Sequence, residues 1–92
     1  MGLFGNYIRE RRESLGIPQR KIAAYLDMDT STLSKIERGD RRINVNMLKP
    51  LADKLNLALE EVEYYFIRDF FANDFQELNF LKSSLTKLCK EL

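Results

Sequence analysis

Thr30, Ser31, Ser34 and Lys35 lie within one short stretch and, wound at the helical period, share the side opposite Leu33 and Ile36. Three hydroxyls and an ammonium can form hydrogen bonds with base edges, and none of the four is a carboxylate that would repel phosphate. This is the chemistry of recognition. The major groove of B-form DNA is about 12 Å wide and admits one bare helix whose outward side chains are small or hydrogen-bonding. Arg38, Arg41 and Arg42 follow at once, where cations can meet a phosphate backbone. Bond-making chemistry finds little support. The chain has no histidine, its single cysteine is Cys89, and no glycine-rich phosphate cradle or nucleophile with a base at a recognisable spacing is present. We expect no enzyme activity, no catalytic residue, no metal site and no cofactor.

A surface of this kind needs a short helix held rigidly by others, and the punctuation supplies them. Glycine and proline fall only in the first part of the chain, and no period-two alternation occurs, so the reading is all-α. A first helix is predicted from about Asn6 to Ser14, with Tyr7, Ile8 and Leu15 on one face and Gly16 ending it in the left-handed conformation. A second opens at Pro18, whose fixed φ suits a first turn, and runs to Leu26 with Ile22, Ala23 and Leu26 inward. Asp27 and Met28 form the turn. Asp29 is placed to accept hydrogen bonds from the free backbone N–H groups of a third helix, Thr30 until Gly39 stops it. A fourth is predicted over Val45 to Leu55, with its start drawn towards Met47 by Pro50. A fifth spans about Leu59 to Ala72, with Glu60, Glu61 and Glu63 at its positive end. Asp74 and Glu77 have capping-box spacing for a sixth, along which Leu78, Leu81, Leu85, Leu88 and Leu92 recur.

Size and charge bound the rest. Ninety-two residues suit one compact domain, and 45% hydrophobic with 32% charged residues excludes a disordered tail. Apolar runs such as Tyr64 to Ile67 fall far short of the ~20 residues that span a bilayer, and no signal segment is visible, so a cytoplasmic protein is expected. A lone Cys89 reads as a reduced thiol near the terminus. The net charge of +1 hides an asymmetry: residues 1–42 hold nine Lys and Arg against six Asp and Glu, residues 43–92 six against eight. The basic half is the one that carries the polar helix face.

The stretches IRERRESLGIPQRKIAAYL, DTSTLSKIERGDRR and LKPLADKLNLALEEV, in this order and spacing, make Ile8 to Val62 resemble the Cro/cI-type helix-turn-helix domains of the xenobiotic-response-element family. STLSKIERG is the most specific part. The resemblance implies a five-helix, lambda-repressor-like bundle whose second and third helices bind double-stranded DNA, often as a homodimer on a palindromic operator, in a regulator of restriction-modification, prophage or toxin operons. It places Thr30, Ser31 and Lys35 at base-reading positions, with Ser34 on the same face. It gives Gln19 and Arg20 contacts at the start of the second helix, and Arg38, Arg41 and Arg42 contacts with the sugar-phosphate backbone. It also makes Arg12 and Glu37 a partly buried structural ion pair. Asp27 stands where the family has glycine, Pro18 replaces its usual Ser or Thr cap, and Thr30 reaches less far than the Gln or Arg often found there, which shifts direct readout towards Lys35.

The expected organisation is a DNA-binding domain over 1–63 and a helical extension over 64–92. With a core complete by Val62, the aromatic and leucine residues beyond need a surface, either their own domain or a partner subunit. Phe71, Phe75, Leu78, Leu81, Leu85 and Leu88 are the candidate dimerisation residues. Two functions from different classes compete: a sequence-specific transcriptional regulator, and an antitoxin-like interaction module that binds a protein partner through this tail.

Overall fold

The computed structural model describes residues 3–75 and 77–92, with all their side chains except those of Asn73 and Asp74. Six α-helices follow one another, α1 (Leu3–Ser14), α2 (Gln19–Tyr25), α3 (Thr30–Arg38), α4 (Leu48–Leu55), α5 (Leu59–Asp74) and α6 (Leu81–Glu91), with a 3-10 turn over Val45–Met47 and no strand among the described residues. The all-α reading holds.

Left-handed residues end the first four helices. Gly16 (φ 70°) follows α1, Asp27 (φ 57°) α2, Gly39 (φ 84°) α3 and Asn56 (φ 54°) α4. At each, an N–H just past the helix reaches back to a free carbonyl, as from Met28 to Ala23 and from Asp40 to Lys35, both at 2.9 Å. Asp27 therefore takes the backbone conformation glycine would have supplied, which a short polar side chain tolerates. Pro18 precedes α2 as its N-cap and offers no side-chain acceptor. Asp29 has N-cap backbone geometry, but its carboxylate accepts from the Thr32 hydroxyl at 2.5 Å instead of from the backbone, and that bond holds its pKa below the usual carboxylate value. Pro50 sits in the first turn of α4, where its missing N–H has no helical partner to lose, and the chain before it is the Val45–Met47 turn, capped by Asn44.

The core joins Phe4 and Ile8 of α1, Ile22 and Ala23 of α2, Leu33 and Ile36 of α3, Leu48, Leu51, Ala52 and Leu55 of α4, and Val62 and Phe66 of α5. Two expectations are corrected. Helix α1 starts three residues earlier than predicted and turns Phe4, Ile8 and Arg12 inward, leaving Leu15 outside the helix and 41% exposed. Nor does the core close at Val62. Phe66 is buried, its ring edge-on to Phe4 at 5.8 Å, and Tyr65 stacks on Tyr7 at 4.1 Å. Helix α5 crosses the expected 63/64 boundary without interruption and keeps Phe70 against the core.

Asp69 explains the early start of α1. Its two carboxylate oxygens each accept a backbone N–H, from Leu3 and from Phe4, both at 3.0 Å, so α5 caps a helix 65 residues away in sequence. Gly5 lets α1 approach α3. A Cβ there would lie 2.4 Å from the Ile36 carbonyl oxygen and 2.5 Å from that of Glu37.

The predicted capping box at Asp74 and Glu77 does not start a helix. Asp74 is the last residue of α5, its side chain lies outside the described residues, and α6 opens at Leu81 behind Phe80.

Candidate nucleic-acid interface

Helix α2 packs across α3 through Ile22, Ala23, Leu33 and Ile36, and the 26–29 turn between them is short and closed by the Met28 to Ala23 hydrogen bond. With its inner side buried, α3 presents Thr30, Ser31 and Lys35 to solvent, with Ser34 half-buried beside them.

The orientation of this face is set from below by a buried network. Arg12 donates to both carboxylate oxygens of Glu37, Nε to Oε2 at 2.7 Å and a terminal nitrogen to Oε1 at 3.0 Å, and its other nitrogen donates to the Ile17 carbonyl at 2.8 Å. Gln19 Nε2 adds a further donor to Glu37 Oε1 at 2.9 Å. Arg12 and Glu37 are 7% and 4% exposed, so both charges depend on each other for solvation. The hydrogen bonds to Glu37 raise the Arg12 pKa further, fixing its charge. The Glu37 carboxylate on α3 thus ties together α1 and the start of α2, and Arg12 carries the network on to the 17–18 connection. The expected ion pair is in place. Gln19, expected to reach outward, is anchored in this network by its amide.

The cations divide into separate roles. Arg20 and Arg41 are exposed. Arg38 donates to Ser34 Oγ at 2.8 Å and to Asp40 Oδ2 at 3.1 Å, a local pairing that holds its guanidinium beside the α3 face. Arg41 and Arg42, which the sequence reads as one cationic edge, diverge. Arg41 lies near the lowered Asp29 carboxylate, and the Arg42 guanidinium stacks 3.6 Å above the ring of Phe70 on α5. The sequence carries no local signal for that stack, because its partners are 28 positions apart. It missed Asp69 for the same reason. Beside α3 runs an open groove of about 790 Å³, floored by Met28, Ile36 and Met47 and flanked by Asp27, Asp29 and Arg41.

The candidate dimerisation residues stay uncovered or partly covered within the chain. Phe71, Leu81 and Leu85 are half-buried, whereas Phe75, Leu78 and Leu88 are exposed. No residue of α6 is buried, and Cys89 is a free, exposed thiol. No helix among the described residues is long and apolar enough to cross a membrane.

Residues 8–62 match the helix-turn-helix family model, and the chain belongs to this family, of the Cro/cI type, which comprises DNA-binding transcriptional regulators. Among similar proteins, the control protein C.MunI of a Mycoplasma species is 32% identical over 60 residues, 64% of this chain and 81% of that one. An uncharacterised helix-turn-helix-type transcriptional regulator of Bacillus subtilis, YazB, is 33% identical over 60 residues, 65% of this chain and 87% of its own length. The crystal structure of the clp gene regulator ClgR from Corynebacterium glutamicum superposes with a TM-score of 0.62 at 19% identity, covering 97% of this chain and 85% of that one, a likeness of fold that extends through α6.

Proposed function

We propose that the protein is a sequence-specific transcriptional regulator that works in the cytoplasm, without catalysing a reaction, by laying α3 in the major groove as a homodimer on a palindromic operator. The observation that carries this reading is the exposed Thr30, Ser31 and Lys35 face of a helix braced from behind by Arg12, Glu37 and Gln19. Lys35 contributes most of the direct base readout, because it has the longest reach on that face. Arg38 and Arg41 meet phosphates beside α3. Gln19 and Arg20 do so at the start of α2, Gln19 with its amide already oriented by Glu37, and Arg42 approaches the backbone from its perch on Phe70. Two copies set their recognition helices about 34 Å apart, one turn of B-DNA, and double the contacts on one rigid body. A relative described as a control protein and another described as a transcriptional regulator support the same reading.

Selection of bound sequences from a random DNA pool, followed by titration of the best site at two salt concentrations, tests it. A palindrome with half-sites about one turn apart is expected, and failure to enrich any site overturns the reading. Within that site, Lys35→Ala relaxes the preference at one base position. Arg41→Ala instead weakens all sequences alike and lowers the salt slope by about 1.

The exposure of Phe75, Leu78 and Phe80 favours a second reading, an antitoxin-like module that takes a protein partner through its tail. It prevails if alanine at Thr30, Ser31 and Lys35 leaves cellular phenotypes intact and charges at Phe71 and Leu81 abolish them.

A further inference from the structure

Arg42 belongs to two parts of the molecule at once. It follows closely on Gly39, the stop of α3, and it lines the open groove beside that helix together with Thr32 and Arg41. It also lines a smaller cavity of about 80 Å³ walled by Phe4, Gly5, Phe66 and Asp69. Its side chain is exposed, whereas the adjoining Ile43 is buried and pins the backbone. The guanidinium carbon stands 3.6 Å over the centre of the Phe70 ring. That ring is itself held from behind. Phe70 meets Phe66 edge-on at 5.3 Å and Phe66 meets Phe4 at 5.8 Å, so the platform under Arg42 is continuous with the core between α1 and α5. A face-on stack uses the flat face of a guanidinium, while its N–H donors lie in the plane and point sideways from the ring. An arginine on an exposed turn has much rotamer freedom to lose when it settles on a phosphate, and a ring that already holds it removes part of that cost. Phe70 lies beyond residue 62, where the helix-turn-helix match ends.

We infer that Phe70 is a positioning residue for DNA binding: its ring holds the Arg42 guanidinium at the edge of α3, and Arg42 meets a phosphate without leaving the ring. The inference rests on the DNA-binding reading above and adds to it a residue that never touches DNA. Because the contact it prepares is with the sugar-phosphate backbone, Phe70 raises affinity for every sequence alike and leaves base preference unchanged.

The test titrates full-length Arg42→Ala, Phe70→Leu, the double variant and Phe70→Tyr with the operator recovered from the random pool and with an unrelated duplex, at two salt concentrations, circular dichroism melts showing that each is folded. Arg42→Ala lowers the salt slope by about 1. Phe70→Leu keeps an apolar side chain against Phe66 but removes the ring face, and it weakens both duplexes about three- to tenfold. The same change made on top of Arg42→Ala alters affinity by less than about twofold, because the residue it serves is gone. Phe70→Tyr keeps the aromatic face and binds within about twofold of the unaltered protein. A Phe70 that only supports the bundle weakens binding equally with and without Arg42, and that result overturns the inference. An Arg42→Ala protein with unchanged affinity and salt slope overturns it too, while leaving the DNA-binding reading standing. A pool that enriches no site overturns both. A second measurement leaves Phe70 unaltered. In nitrogen-15-labelled protein, the Arg42 Nε–H proton, assigned by its loss in Arg42→Lys, is shifted upfield by the ring current of Phe70 and keeps that shift on operator DNA. Loss of the shift in the complex means that Arg42 quits the ring to reach DNA, which overturns the inference even where Phe70→Leu does not fold.

Discussion

Glu37 is the residue on which the orientation of α3 converges, and the energetics of its site are asymmetric. Two buried opposite charges gain from each other roughly what their desolvation costs, so the pair as a whole adds little stability. Removing one member strands the other. Glu37→Ala leaves the buried Arg12 guanidinium with the Ile17 carbonyl and a distant contact to the exposed Glu13 at 3.9 Å and frees the Gln19 amide, and it should cost about 3–5 kcal/mol. The double change Arg12→Met with Glu37→Leu should be far milder in stability, since no charge is stranded. Urea denaturation of both proteins checks this, and equal losses would refute the account. Tyr7 supplies a pH dependence at the same scale. Burial, then its hydrogen bond to Glu61, raises the Tyr7 pKa above its ordinary value of 10.0. A group whose pKa is raised by folding stabilises the fold below its unfolded pKa, and that contribution fades as pH rises through the folded value. The stability gap between the native protein and Tyr7→Phe should therefore be constant from pH 8 to about 10 and close above it. A gap unchanged at pH 12 would show that the phenol's proton is irrelevant to the fold.

Among the elements, α1 connects the recognition helix to the rest of the molecule, and it does so by close approach. Gly5 has no room for a methyl group against the Ile36 and Glu37 carbonyls, both backbone atoms at the end of α3. Gly5→Ala should push α1 away from α3 at a cost of about 1–3 kcal/mol despite alanine's better helix propensity. An exposed alanine substitution such as Glu10→Ala should stay within about 0.5 kcal/mol. Thermal unfolding distinguishes the two, and a Gly5→Ala protein as stable as the native one would contradict the geometry. This contrast also shows what the sequence could reveal. The α2–turn–α3 unit was legible, with Gly39 as the stop of α3, because its signals are local: caps, a left-handed turn and apolar residues at helical spacing. The polar face of α3 followed from the same periodicity, and the Arg12–Glu37 pair from family resemblance. The early start of α1 was not legible, because its cap, Asp69, comes from the other end of the bundle. The Arg42 stack was not legible for a related reason: its ring partner, Phe70, is an aromatic on α5, far away in sequence.

For the whole molecule, the question is where the DNA-binding unit ends. Family resemblance stops at Val62, and the bundle does not. Beyond it, Phe66 completes the core, Tyr65 and Phe70 cover it, Asp69 caps α1, and Phe70 carries Arg42. Losing a buried phenylalanine alone costs about 3–5 kcal/mol, a large share of the 5–15 kcal/mol by which a small domain is stable. A chain cut after Glu63 should therefore fail to melt cooperatively, although it contains the entire helix-turn-helix match. A chain cut after Phe75 keeps all these contacts and loses only the connection and α6, of which no residue is buried. It should melt cooperatively near the native temperature and, having lost the candidate dimerisation residues Leu78, Leu81, Leu85 and Leu88, bind an operator half-site as a monomer with much reduced affinity for the full palindrome. Circular dichroism melts of the two truncations, with sedimentation of the longer one, measure this directly. If the shorter chain folds, the second half of α5 is an appendage and the extension begins at residue 64. If only the longer one folds, the C-terminal half of α5 is part of the reading head, and a partner acting on α5 acts on Arg42 and the edge of α3 with it.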